Sequence, residues 1–211
     1  MATALVAGTG AEDVVTMSDV SWDTYCRLDD ENQNPAVRLA YFEGSLELMT
    51  VSLVHEYWGD TVAALVRSYA RALRLDVAGF GHATMRRKSR HAGVEPDGCF
   101  FFGELAAAMK KHQEWDLEAG PGPDLIVEID ISRRSFSKLP LYAALGVREV
   151  WQFHQDEAAM YGLFDLRYQQ ISTSTVLAGL TASKLTRLLA ESINRPEHEW
   201  DDLIRAAATE R

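Results

Sequence analysis

Apolar positions along the chain switch between two periods, and the switches outline the elements. From Ser52, the residues Val54, Trp58, Val62, Leu65, Tyr69 and Leu73 recur at three- and four-residue steps, which predicts a long amphipathic helix. A shorter helical pattern of Trp22, Tyr25 and Leu28 follows Ser18 and Ser21, either of which can cap it. Between these two, "VRLAYFEGSLELMTV" alternates around Glu43 and Gly44 and reads as a hairpin with the glycine near its turn. After the long helix come "DVAGFGHATMRRKS", a strand candidate loosened by two glycines, and "GCFFFG", a short aromatic strand. "GELAAAMKKHQEWDLEAGPGP" is weakly helical with a glycine-proline exit. "DLIVEIDIS" is β-branched and apolar on both sides of its acids, as an interior strand is. A short helix stopped by Gly146, the strands "REVWQFH", "AAMYGLF" and "LRYQQIST", and two terminal helices complete the chain. This order predicts an α/β sandwich around a mixed sheet. One domain over residues 18–211 is expected after a loose start over 1–17.

Composition narrows the function classes. A chain of 211 residues, 47% of them hydrophobic, can fill one sizeable core. Its 21 basic against 31 acidic residues give a net charge of −10, which repels a polyanion unless positive groups are concentrated at one site. A general nucleic-acid coat protein is therefore not expected. The two cysteines, Cys26 and Cys99, are far apart and in no metal spacing, so neither a zinc site nor a disulfide framework is indicated and a reducing cytoplasm is the expected compartment. The start "MATALVAGTGAEDVV" has no basic leader, and no apolar run approaches bilayer-spanning length. The apolar strands "EVWQF" and "AAMYGLF" suggest a surface shared between two copies, and a two-fold homodimer is expected.

Candidate chemistry sits at the mouth of the aromatic strand. "GVEPDGCFFFG" places Glu95, Pro96 and Asp97 directly before it; the step is either a turn entering the strand or a rigidly held metal ligand, Asp97. Within "LIVEIDIS", side chains alternate, so Glu128 and Asp130 share one face while Val127, Ile129 and Ile131 share the other. Two like charges on one face of an interior strand raise each other's pKa and call for a positive partner, unless both lie at an open, wet strand end. Lys138, ten residues after Glu128, can hang over the acids if the next helix folds back across the strand end; taken alone it reads as a solvated lysine. Asp97, Glu128 and a lysine are the set expected for metal-assisted phosphodiester hydrolysis, since hard oxygen ligands suit Mg²⁺, with Mn²⁺ able to substitute.

The segments "YFEGSLELMTVSLVHE", "VEPDGCFF" and "DLIVEIDISRRSFSKLPLYAALGVREVWQF" resemble the Uma-two family of restriction endonucleases, within the PD-(D/E)xK nuclease superfamily. The resemblance runs from about Val37 to Phe153 and implies a restriction-endonuclease-like sandwich, a central mixed β-sheet flanked by helices. It places the proline-aspartate step on Pro96 and Asp97 and the acidic strand residue on Glu128, the two metal ligands. The superfamily's lysine would stand two residues later, where this chain has Asp130, so the resemblance implies a lysine moved onto the helix, Lys138. It also marks Glu43 at the hairpin and His55 in the first turn of the long helix, where the helix dipole disfavours a protonated imidazole. A neutral His55 could accept a proton or bond a carboxylate; the alternative is an ordinary polar group at a helix start. Glu95 reads as a rim charge, and the basic clusters "MRRKSRH" and Arg133–Arg134 as phosphate contacts or solvated loops. The implied activity is Mg²⁺-dependent hydrolysis of DNA by an endonuclease. The alternative is an inactive nuclease-fold module with an assembly or regulatory role.

Overall fold

The computed structural model describes residues 12–111, 115–130, 137–154 and 157–210. Among these residues the chain runs β1 (Val14–Met17), α1 (Trp22–Glu31), β2 (Val37–Phe42), β3 (Ser45–Thr50), α2 (Leu53–Ala72), β4 (Val77–Gly79), β5 (Met85–Arg87), β6 (Ala92–Val94), β7 (Gly98–Phe102), α3 (Gly103–Met109), β8 (Leu125–Asp130), α4 (Leu139–Leu145), β9 (Glu149–His154), β10 (Glu157–Phe164), β11 (Arg167–Ile171), α5 (Ala182–Ser192) and α6 (Glu197–Thr209). Val14–Met17, within the segment expected to be loose, pairs antiparallel with β3. The glycine-loosened segment is two short strands, and they belong to different sheets.

Two sheets stack face to face. One is antiparallel, in the order β1-β3-β2-β6-β5; the other is mixed, β11-β10-β9-β8-β7-β4, with β8 and β9 its parallel pair. Alternation along β8 explains the layering. Leu125, Val127 and Ile129 enter a core with Val62, Leu65 and Tyr69 of α2 and Leu185, Leu188 and Ile204 of α5 and α6. Ile126, on the opposite face, joins Ala40, Val94, Leu141 and Tyr142 beneath the antiparallel sheet and α4. The outer face of the antiparallel sheet packs Leu39, Tyr41 and Leu46 against Tyr25 of α1. Helices therefore cover one face of the mixed sheet, while the second sheet and α4 cover the other. Trp151 and Phe153 of "EVWQF" and Met160 of "AAMYGLF" are covered within the chain by this helical layer.

Local signals fix the boundaries that matter for the site. Ser21 and Ser52 cap α1 and α2, each accepting a main-chain N–H three residues on. Gly146 ends α4 at φ +76°, a left-handed position that glycine takes without strain. The β2–β3 turn has Glu43 at φ +47° and Gly44 at φ +91°, the two positive angles that a tight hairpin turn requires.

Candidate active site

The register of the mixed sheet assembles the acids. Gly98 lies opposite Val127 in the antiparallel β7–β8 pair, so Asp97, one residue earlier, comes level with Glu128 on the same face. Asp97 Oδ2 accepts the Ile129 main-chain N–H at 2.7 Å. Strand entry and carboxylate placement are thus one arrangement, since the proline-aspartate step that leads into β7 also locks its acid onto β8.

Lys138, at the N-cap of α4, donates to Glu128 Oε2 from 2.9 Å, and Tyr142, one turn on, donates its hydroxyl to Glu128 Oε1. From the first turn of α2, His55 Nε2 lies 3.3 Å from Asp97 Oδ2, at ion-pair distance but off the hydrogen-bonding axis. The four groups are almost sealed: His55 is 1% exposed, Glu128 2%, Asp97 6% and Lys138 6%. A cavity of about 10 Å³ adjoins them, lined by Glu47, Glu128, Asp130 and Lys138 among others, room for about one water or ion.

Burial alone would disfavour the charged forms of Lys138, Asp97 and His55, but the opposite charges around each offset it. Burial pushes Lys138 down, but Glu128, Asp97 and Glu47 outweigh it and hold the ammonium above its ordinary range. Burial pushes Asp97 up, but His55, Lys138 and the Ile129 N–H hold its carboxyl below the usual aspartate range. For His55 the balance runs opposite to what the helix start alone would give. Burial lowers its pKa, but Asp97, then Glu12 and Glu128, raise it above the ordinary value, because nearby full negative charges outweigh the partial charges at a helix start.

Sequence reasoning missed three members. Glu47, 5% exposed, projects from β3 toward the cluster because it pairs across the hairpin with Ala40, which faces the mixed sheet. Tyr142 stands four residues after Lys138, and Glu12 lies buried near His55. A usable signal existed for Glu47: Leu39, Tyr41 and Leu46 fill one face of the hairpin, so Glu47 occupies the other. Glu43, by contrast, is exposed at the turn and is not brought to the cluster. Asp130 lies beside it, with Oδ2 3.4 Å from His154 Nδ1 of the neighbouring parallel strand. Glu95 is half-buried, with Thr84 donating to it at 3.2 Å. In "MRRKSRH", Arg86 pairs with Asp29 and Asp30 at the end of α1 and Arg87 donates to Ala144 O, so both serve internal contacts. Arg133 and Arg134 lie outside the described residues.

The buried acids are the groups that a cation would use. Three buried carboxylates, Asp97, Glu128 and Glu47, face Lys138 and His55. Among the described residues no three His, Cys, Asp or Glu side chains stand at metal-ligand spacing. An ion held by Asp97 and Glu128 would therefore complete its shell with main-chain carbonyls, water or substrate oxygens, as Mg²⁺ commonly does.

Residues 22–193 match the Uma2 family, whose description is "putative restriction endonuclease". The chain belongs to the Uma2 family. In fold it is similar to a solved structure from Anabaena variabilis ATCC 29413, described as a "putative nuclease belonging to DUF820", at 13% identity and a TM-score of 0.55, covering 81% of this chain and 99% of that one. No curated protein matches the chain. Among the described residues of this Uma2 protein, no helix is long and apolar enough to cross a membrane.

Proposed function

We propose that this protein is a Mg²⁺-dependent endonuclease that hydrolyses DNA phosphodiester bonds. The observation that carries the reading is the Lys138–Glu128 contact beside Asp97. A lysine delivered by α4 reaches the acid of β8 and supplies the positive charge absent at Asp130.

Asp97 and Glu128 would hold the ion. Bound there, it would neutralise charge developing on the phosphate and lower the pKa of a water. His55 keeps Asp97 in its carboxylate form, and the Ile129 N–H fixes its direction. Lys138, held protonated, cannot act as a base; it donates hydrogen bonds to the attacking water or to a phosphate oxygen as negative charge grows there. Tyr142 occupies the other oxygen of Glu128 and restrains its rotamer.

The test is cleavage of single- and double-stranded DNA with Mg²⁺ or Mn²⁺ at low salt, where an acidic protein best meets a polyanion. Wild type should cleave, and Lys138→Ala should cut the rate by roughly a hundredfold or more, the usual scale for losing one electrostatic stabiliser. Equal cleavage by both removes Lys138 from the chemistry. No cleavage by wild type on any DNA leaves the nuclease fold with a non-catalytic role.

A further inference from the structure

A second, larger cavity opens beside the cluster. Its volume is about 500 Å³, within the range of roughly 300–1,000 Å³ typical of small-molecule sites, and it lies between the start of α2, the ends of β8 and β9, and α5. Ile129 and Asp130 line both this cavity and the small one over Glu128 and Lys138, so the two meet at the carboxyl end of β8. The first turn of α2 also links them: Val54 lines the large cavity and His55 contacts Asp97. Whatever fills the large cavity touches Ile129 and Asp130, one and two residues along β8 from Glu128.

We infer that this cavity takes one unpaired nucleobase of the substrate, beside the phosphodiester presented to Asp97, Glu128 and Lys138; the inference rests on the nuclease reading above. The walls suit a flat aromatic ring with a polar edge. Trp58 and Phe153 offer aromatic surface and Leu189 aliphatic surface, with Asp130, Thr186 and Asn194 the polar members. Thr186 Oγ1 accepts the Ala158 N–H at 3.1 Å and keeps its hydroxyl proton to donate; Asn194 uses one amide proton on Ala190 O at 3.0 Å and keeps an acceptor. A donor from Thr186 and an acceptor from Asn194 around an apolar slot suit a base edge. Exposed Tyr57 packs edge-on against Trp58, with ring centroids 5.4 Å apart, and extends the aromatic surface at the start of α2. Stacking of this kind tolerates any base, so it also gives an acidic protein a hold on DNA that does not depend on its net charge.

The test uses the full chain, a single-stranded oligonucleotide with one 5-iodouracil, and Ca²⁺ as an oxygen-seeking ion in place of Mg²⁺. Irradiation should attach the base to the peptide carrying Trp58 or Phe153. Ala190→Trp, a filling substitution at an exposed wall position, should abolish that crosslink and weaken oligonucleotide binding by roughly five- to a hundredfold, the scale of one lost stack, with an unchanged melting temperature. Crosslinks elsewhere, with Ala190→Trp binding DNA as wild type does and cleavage intact, would overturn the base site and leave the nuclease reading standing. A Trp58 crosslink without cleavage in Mg²⁺ would sustain the base site while the nuclease reading fails. If Ala190→Trp instead converts a dimer to a monomer in sedimentation and leaves oligonucleotide binding unchanged, a second copy fills the cavity and the inference is wrong.

Discussion

Lys138→Met isolates the energetics of the cluster. Methionine keeps most of the lysine stem, so little cavity opens and the main loss is the ammonium. Its partner Glu128 is 2% exposed and Asp97 6%, so water cannot replace the lost charge without opening the site. Removing one member of a buried pair costs about 3–5 kcal/mol, most of it from the charge left behind. For a chain of about 200 residues, each kcal/mol moves the melting temperature by about 2–4 °C, so the expected fall is roughly 6–20 °C. Adding Glu128→Gln removes the stranded charge yet leaves an oxygen for the Tyr142 hydroxyl, so the double variant should recover to within about 2 kcal/mol of wild type. Urea titrations of the four proteins complete the cycle, and Mg²⁺ should stabilise Lys138→Met more than wild type, because the carboxylates have lost their counter-charge. A single variant within about 1 kcal/mol of wild type, with no coupling in the cycle, would mean that the pair is solvated and carries little of the stability.

Three further outcomes follow from the geometry. Glu43→Asn should raise stability by a few tenths of a kcal/mol, because asparagine tolerates positive φ better in a tight hairpin turn, and should leave cleavage unchanged; a loss of cleavage would return Glu43 to the site. Asp97→Asn should remove the thermal stabilisation by Mg²⁺ while the chain stays folded, and a full Mg²⁺ response in the variant would exclude Asp97 as a ligand. The His55–Asp97 pair sets a pH window: the raised His55 pKa makes its contribution complete below the ordinary histidine value near 6.5 and lost as pH rises through the raised value, while the depressed Asp97 pKa makes its share complete above the ordinary aspartate value near 3.9 and lost on further acidification. The stability gap between wild type and His55→Gln should therefore narrow toward alkaline pH, and a constant gap would remove the charge from His55.

Much of the fold was legible because local patterns and long-range packing agree. The α2 periodicity from Ser52, the cap at Ser21, the stop at Gly146 and the alternation of β8 each appear where the residues imply. The second sheet was harder to see. Ala92–Val94 and Met85–Arg87 are three-residue strands with no period of their own, and they pair only because β2 offers an edge. In the site, Asp97, Glu128 and Lys138 were found through their neighbours in sequence, whereas Glu47 reaches the cluster from the other sheet, and only the packing of two layers brings it there.

On the proposed reading, Lys138 takes the part of the lysine that the motif this chain resembles would carry at Asp130. A lysine on β8 would approach Glu128 along the strand; from the N-cap of α4 it approaches from above, with Tyr142 on the same face one helical turn later. The strand position is then released from supplying charge. Asp130 turns its carboxylate toward His154 on β9 and lines both cavities. Exchanging the residues back tests this division of labour. Asp130→Lys combined with Lys138→Met restores a cation to the strand and should regain part of the cleavage lost in Lys138→Met alone, because the ammonium can again reach Glu128. The same exchange takes an acceptor from the mouth of the large cavity, so oligonucleotide binding should change even where cleavage returns. Cleavage no better than in Lys138→Met would mean that approach from α4, rather than a cation as such, is what the acids of β7 and β8 require.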